Sequence, residues 1–182
     1  MANDPDWLAD VLREEGLDVV EYPDWHDRGH GDFEEIWGVV CHHTGSNNNA
    51  PQVLADGRPD LPGPLSHVHV AQDGAVTVVA QGVAWHAGRG RHDGLPDNEA
   101  NAHTIGIHAV SDGQTDYPDV QYQADVRCAA AIVRKIGQPA SHVIGHKEWS
   151  TDKWDPALDM DKLRTDVETH LSAASPVDSK GS

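Results

Sequence analysis

Cysteine, aromatic rings and positive charge are all scarce in this 182-residue chain, and each shortage closes off a class of protein. The two cysteines, Cys41 and Cys128, stand far apart, which argues against a disulfide scaffold and fits two core residues in a reducing compartment. Lys and Arg number 13 against 30 Asp and Glu. The resulting formal charge of -17 repels phosphate backbones and anionic lipid, so neither nucleic acid nor a membrane is an expected partner. The same charge opposes any anionic polymer, so such a substrate has to be recognised at short range, in a cleft. No apolar run approaches the roughly 20 residues of a membrane helix. The opening Met1-Ala2-Asn3-Asp4-Pro5-Asp6 lacks the basic and apolar regions of a secretory signal, and no signal peptide is expected.

Hydrophobic residues make up 38 % of the chain and charged residues 24 %, ordinary values for a globular protein. At this length one domain is expected, able to bury roughly 70 % of its unfolded surface without covalent staples. Asp4-Pro5 ahead of Trp7, Leu8, Val11 and Leu12, with Gly16 beyond, predicts a capped amphipathic helix. Residues 21–35 are rich in turn formers and predict a loop. Ile36 to Cys41 is an apolar run of strand length that ends on His42-His43-Thr44-Gly45. Val68 to Ala71 and Ala75 to Ala80, separated by Gln72-Asp73-Gly74, predict a hairpin. Thr104 to Val110 alternates Ile105, Ile107 and Ala109 with Gly106 and His108, which sends His108 to the face away from Ile107. Pro118, the stripe Val120, Ala124, Cys128, Ala131 and Ile132, and Gly137 predict a long helix over 118–136. Val143-Ile144-Gly145 predicts a short strand ending at His146, and Leu163, Val167 and Leu171 predict a last helix capped near Asp159. The alternation predicts an α/β fold: one domain over residues 1–174, a mixed central β-sheet flanked by helices, and a disordered tail at 175–182. A monomer is expected, with its chemistry at the strand ends.

There are 13 histidines, so a histidine near an acid is weak evidence and position has to decide. His42 lies where an apolar strand gives way to a glycine-containing loop. His146 takes the same kind of place, and Asp155 follows nine residues later. Two imidazoles and one carboxylate leave one position of a tetrahedral zinc ion open, the arrangement of a catalytic site and not a closed structural one. The same residues also read as separate surface groups, with Asp155 an N-cap ahead of Pro156, or with Asp152 as the third ligand.

Five ordered motifs go further. They are Val39-Val40-Cys41-His42-His43-Thr44, Ser66-His67-Val68-His69-Val70-Ala71-Gln72-Asp73-Gly74, Ala84-Trp85-His86-Ala87-Gly88, Thr104-Ile105-Gly106-Ile107, and Val143-Ile144-Gly145-His146-Lys147-Glu148-Trp149 closing on Lys153-Trp154-Asp155-Pro156. In order and spacing they resemble the N-acetylmuramoyl-L-alanine amidase type-2 family, which has a peptidoglycan recognition protein-like fold. The likeness is greatest to the amidase domains of actinobacteriophage endolysins and runs from about Trp7 to Leu171. It implies a Zn2+ cofactor held by His42, His146 and Asp155 at the strand ends. It also implies oxyanion stabilisation by Lys153 and a substrate cleft lined by His86, with Trp85 and His67 as further candidates for substrate contact. Trp85, Trp149 and Trp154 read as cleft walls, or two of the three as core aromatics.

One position departs from the family pattern. Where many members have Ile-Gly-Ile-Glu, with the glutamate acting on the attacking water, this chain has Ile105-Gly106-Ile107-His108. His108 reads either as a replacement general base or as a lost function on the cleft wall. Ser66 stands about where some relatives place a tyrosine, and it is not a substitute for that group. The resemblance implies hydrolysis of the amide between N-acetylmuramic acid and L-alanine in bacterial peptidoglycan. An endolysin would stay in the host cytoplasm until released to the wall. Two other readings stay open: a non-catalytic peptidoglycan-binding module of the same fold, and a zinc peptidase cutting within the stem peptide.

Overall fold

The computed structural model describes residues 3–173, and the tail expected at 175–182 lies outside the described residues. In chain order its elements are α1 (Leu8–Glu14), β1 (Val19–Glu21), β2 (Gly38–His43), α2 (Pro51–Asp56), β3 (Gly57–Arg58), β4 (Leu61–Pro62), β5 (Val68–Val70), β6 (Val76–Val78), β7 (Thr104–Ala109), α3 (Asp119–Ile136), β8 (Val143–Gly145), α4 (His146–Trp149) and α5 (Met160–Ser172). Six strands form one sheet in the order β1-β6-β5-β7-β2-β8, and β3 pairs with β4 apart from it. Within the sheet every neighbouring pair is parallel except the β5–β6 hairpin. This is the mixed α/β sheet that the alternation of elements predicts.

β2 lies between β7 and β8 and is buried along its whole length, as a central strand covered on both faces must be. Its side chains alternate between two cores. Val39 and Cys41 join Ile105, Ile107, Val68 and Val70 against Leu8, Leu12, Ile132 and Leu163 of the helices. Val40 points the other way, to Ile144, Trp149, Ala87 and Leu95. Helices α1, α3 and α5 therefore cover one face, and the opposite face is left to loops and short elements. Both long helices end as their sequences predict: Gly137 closes α3 in the left-handed region (φ 73°), and the Asp159 carboxylate accepts from the Asp161 and Lys162 amides at the start of α5.

Four local readings are corrected. Asp4 does not cap α1; its Oδ1 accepts the Phe33 amide at 2.8 Å, tying the two segments together. The loop expected from residue 21 contains the end of β1 and a 3-10 turn whose Trp25 is buried and donates from Nε1 to Glu21 at 2.7 Å. The apolar run at 36–41 starts its strand later and carries it through His43, because β7 offers pairing partners out to Ala109. His146 opens α4 and does not close β8. The segment α2–β3–β4 has no counterpart in the sequence reading. Its one turn of helix gains its stability by packing Leu54 and Ala55 on Leu65 and Val79. No helix among the described residues is long and apolar enough to cross a membrane.

One buried charge stands outside this order. Asp125 on α3 is 1 % exposed, and neither of its carboxylate oxygens has a hydrogen-bond partner among the described residues. Burial pushes its pKa up to about 7. The native state therefore holds a proton that the unfolded chain releases near pH 4, and stability falls as pH rises through this interval. The slope is about 1.4 kcal/mol per pH unit, flattening above pH 7. Asp125→Asn is expected to match the wild type near pH 4.5 and to exceed it by about 1–3 kcal/mol at pH 8, read from urea midpoints. A difference that stays constant across this range would show that the carboxyl is ionised throughout.

Candidate metal centre and substrate cleft

Because β2, β7 and β8 run parallel, their carboxyl ends share one edge of the sheet, where ligands of open α/β sheets gather. His42 and His108 are register partners across β2 and β7, and Gly145 pairs with Cys41, so His146 follows one residue beyond the ladder. Asp155 arrives from the loop between α4 and α5. That loop is held at several points: the Lys147 amide donates to Asp155 O at 2.8 Å, the Ala157 amide to His43 Nδ1 at 3.2 Å, and Lys147 Nζ to Leu158 O at 2.6 Å. Glu148 braces the same turn, accepting from the Gly145 amide and from both Nη atoms of Arg164.

The donor atoms of His42, His146 and Asp155 lie close together, and they form the group of the described residues suited to a metal ion. His42 Nδ1 is 3.0 Å from His146 Nδ1 and 3.1 Å from Asp155 Oδ2, and His146 Nδ1 is 3.2 Å from the same oxygen. Counting protons tells what these atoms carry. A carbonyl oxygen only accepts, so His86 Nε2–H donates to Thr104 O (3.1 Å) and its Nδ1 keeps a lone pair. His42 Nε2, 3.0 Å from that nitrogen, supplies the proton between them, and its own Nδ1 is left bare. His146 Nε2–H donates to Ala87 O at 2.8 Å, which bares its Nδ1 in the neutral ring.

Burial brings the pKa of His42 down to about 4 and that of His86 well below the ordinary value. Burial also opposes charge on Asp155, but the His146 and His42 imidazoles outweigh it and hold its carboxyl well below the usual range. Two imidazole Nδ1 atoms and an anionic oxygen thus converge on one point. Such a set is drawn together by a positive charge among its members, and two nitrogens with one carboxylate oxygen suit a divalent metal of the zinc type.

The centre opens into a cleft of about 500 Å³. A larger hollow of about 760 Å³ beside α5 gathers no comparable donor set. Lys153, Trp154, Trp85 and His108 line the cleft. Trp85 and Trp154 are 42 % and 55 % exposed, and Trp149 is a core residue whose Nε1 donates to Gly88 O. His86 also reaches the cleft wall, but its nitrogens face His42 and Thr104, so its ring orients a candidate ligand. Gly106 makes room for that ring: a Cβ there would stand 2.8 Å from His86 Cγ. His67 has no exposed surface. Its Nδ1 accepts the Gly106 amide and its Nε2 donates to Gly82 O, which leaves nothing for a substrate to touch. Asp152 lines the cleft but is not in the convergent set, which separates it from Asp155.

Sequence reasoning missed two contributions. His43 anchors the Asp155 loop through Ala157 and packs edge-on against Trp154, a role that no local pattern announces. The far wall is built by Val53, Leu54, Arg58, Leu61 and Leu65 of α2–β3–β4. Pro51 ahead of Val53 and Leu54 was the available signal for it.

An α/β domain that gathers two imidazole nitrogens and a carboxylate at the carboxyl ends of parallel strands defines a candidate metal-dependent enzyme. The family model described as N-acetylmuramoyl-L-alanine amidase matches residues 32–158, and the chain belongs to that family of enzymes. No curated protein matches the chain in sequence. Among solved structures it is similar to the N-acetylmuramoyl-L-alanine amidase LysC from Clostridium intestinale, with 18 % identity, a TM-score of 0.64, and 81 % of this chain and 95 % of that one covered. The Ph2119 endolysin of a Thermus scotoductus bacteriophage gives 19 %, 0.62, 82 % and 98 %. The amidase AmiD from E. coli, solved with anhydro-N-acetylmuramic acid-L-Ala-D-gamma-Glu-L-Lys, gives 19 %, 0.60, 76 % and 60 %. At these identities the structural likeness speaks for the fold.

If His86 orients His42, His86→Ala is expected to weaken divalent-metal affinity by about 10- to 100-fold while the fold is retained, measured by competition with a chromophoric chelator. Unchanged affinity would remove His86 from the centre.

Proposed function

We propose that this chain is a zinc-dependent amidase that hydrolyses the bond between N-acetylmuramic acid and L-alanine in bacterial peptidoglycan, with residues 1–174 as its catalytic domain. The observation that carries this reading is the convergence of three donor atoms from His42, His146 and Asp155 beside a cleft lined by a lysine. Bound there, zinc would supply Lewis acidity toward the amide carbonyl and make hydroxide available at neutral pH.

The chain's own residues do the rest. His86 holds His42 in the tautomer that turns its Nδ1 to the metal. His108, stacked on His42 with ring centroids 4.2 Å apart, takes the proton of the attacking water as general base. Lys153 makes no ion pair among the described residues, so its ammonium is free to stabilise negative charge developing on the carbonyl oxygen. Trp85 and Trp154 offer exposed rings at the cleft for the sugar or the stem peptide. A release role in phage lysis, from host cytoplasm to wall, is supported by the endolysins among the structural neighbours.

Purified wall incubated with the zinc-loaded protein is expected to release stem peptides with a free L-alanine amino terminus, identified by mass spectrometry, and chelation should abolish the release. Cuts within the stem would make the protein a peptidase, and no release with zinc bound would make it a binding module. Lys153→Ala is expected to lower kcat by about 100-fold with zinc content unchanged. A variant at wild-type kcat would take Lys153 out of the mechanism.

A further inference from the structure

Ser66 precedes β5 and is completely buried. Three groups surround its hydroxyl: Gly106 O at 2.9 Å, Val68 O at 3.4 Å and His108 Nδ1 at 2.8 Å. Two of these are carbonyl oxygens, which only accept, and the hydroxyl has a single proton to give. Given to the nearer carbonyl, Gly106 O, it leaves the lone pairs of Oγ facing His108 Nδ1, which must then bring a proton of its own. The opposite assignment, with Ser66 donating to Nδ1, leaves Oγ and Gly106 O in contact with no proton between them. In a water-free interior that is the costly arrangement.

From this geometry we propose that Ser66 is a positioning residue that locks His108 in the Nδ1–H tautomer and turns its bare Nε2 toward the cleft. Two constraints hold the ring. Stacking on His42, with an interplanar angle of 4°, sets its plane, but a half-turn within that plane would satisfy the stack equally well. The Ser66 bond removes that ambiguity by fixing which edge faces inward. His108 lines the cleft, and its Nε2 is not among the buried atoms left without a partner. A neutral imidazole acts as base only through its unprotonated nitrogen, so the serine decides whether that nitrogen meets the substrate or the sheet. The role of His108 as base rests on the amidase reading above, whereas the tautomer does not.

The test separates the two. In the zinc-loaded full chain, 15N NMR of the histidine side chains is expected to report His108 as a single Nδ1–H tautomer. In Ser66→Ala the signal should move toward a tautomer mixture, and kcat should fall by about 10- to 100-fold with KM and zinc stoichiometry unchanged. Ser66→Thr, which keeps the hydroxyl, should restore both, while thermal unfolding confirms that each variant is folded. An Nε2–H or doubly protonated ring in the wild type would overturn the proposal, as would an unaltered tautomer in Ser66→Ala. Loss of amidase activity in every form, with the tautomer intact in the wild type, would count against the amidase reading and leave the Ser66 assignment standing.

Discussion

Two imidazole nitrogens and a carboxylate oxygen from three separate segments stand within about 3 Å of one another, and much of this structure serves to keep them there. His42, His146 and Asp155 lie far apart in the chain, and nothing local would bring them together if their segments were free. The sheet does it. Parallel pairing of β2 with β7 and β8 puts two of the three backbones on one rigid edge, and the Glu148–Arg164 pair with the His43–Ala157 contact fastens the loop that carries the third. Packing and pairing elsewhere thus hold in place a donor set that a cation would bind.

Histidine does several jobs on this one sheet face, and its protonation state separates them. His67 satisfies backbone groups at both nitrogens, and burial lowers its pKa to about 4. His86 passes its hydrogen-bonding order from Thr104 to His42. His108 lies one strand over, its plane fixed by stacking and its edge by Ser66. Each ring is neutral or held in one tautomer by a carbonyl or hydroxyl whose own role is unambiguous. A chain of formal charge -17 could otherwise favour protonated imidazoles, and desolvation is what overrides that tendency. The Lys and Arg side chains that line the cleft are Arg58, beside α2, and Lys153, in the loop that carries Asp155.

Much of this was legible beforehand. The hairpin at Asp73-Gly74, the long helix ending at Gly137 and the alternation in 104–110 follow from period and turn chemistry, which act over a few residues. The ligand trio was nameable because motif order brings distant residues into one list. The uses of His43, His67 and Ser66 were not legible, since each depends on a partner 39 to 114 positions away, and nothing local distinguishes a histidine that holds a loop from one that faces a substrate. α2–β3–β4 escaped notice for a related reason: six helical residues have little propensity of their own and exist because Leu54 and Ala55 find a core.

By itself the sequence determined the alternating α/β order, the family, and the residue types available for a metal site, because composition, hydrophobic period and motif spacing are properties of the chain. Only the tertiary structure decided which histidine nitrogens converge on Asp155, which ring braces another and which satisfies backbone groups. Those roles are set by where each ring's two nitrogens point, and a nitrogen's direction is fixed by partners that folding alone brings within 3 Å.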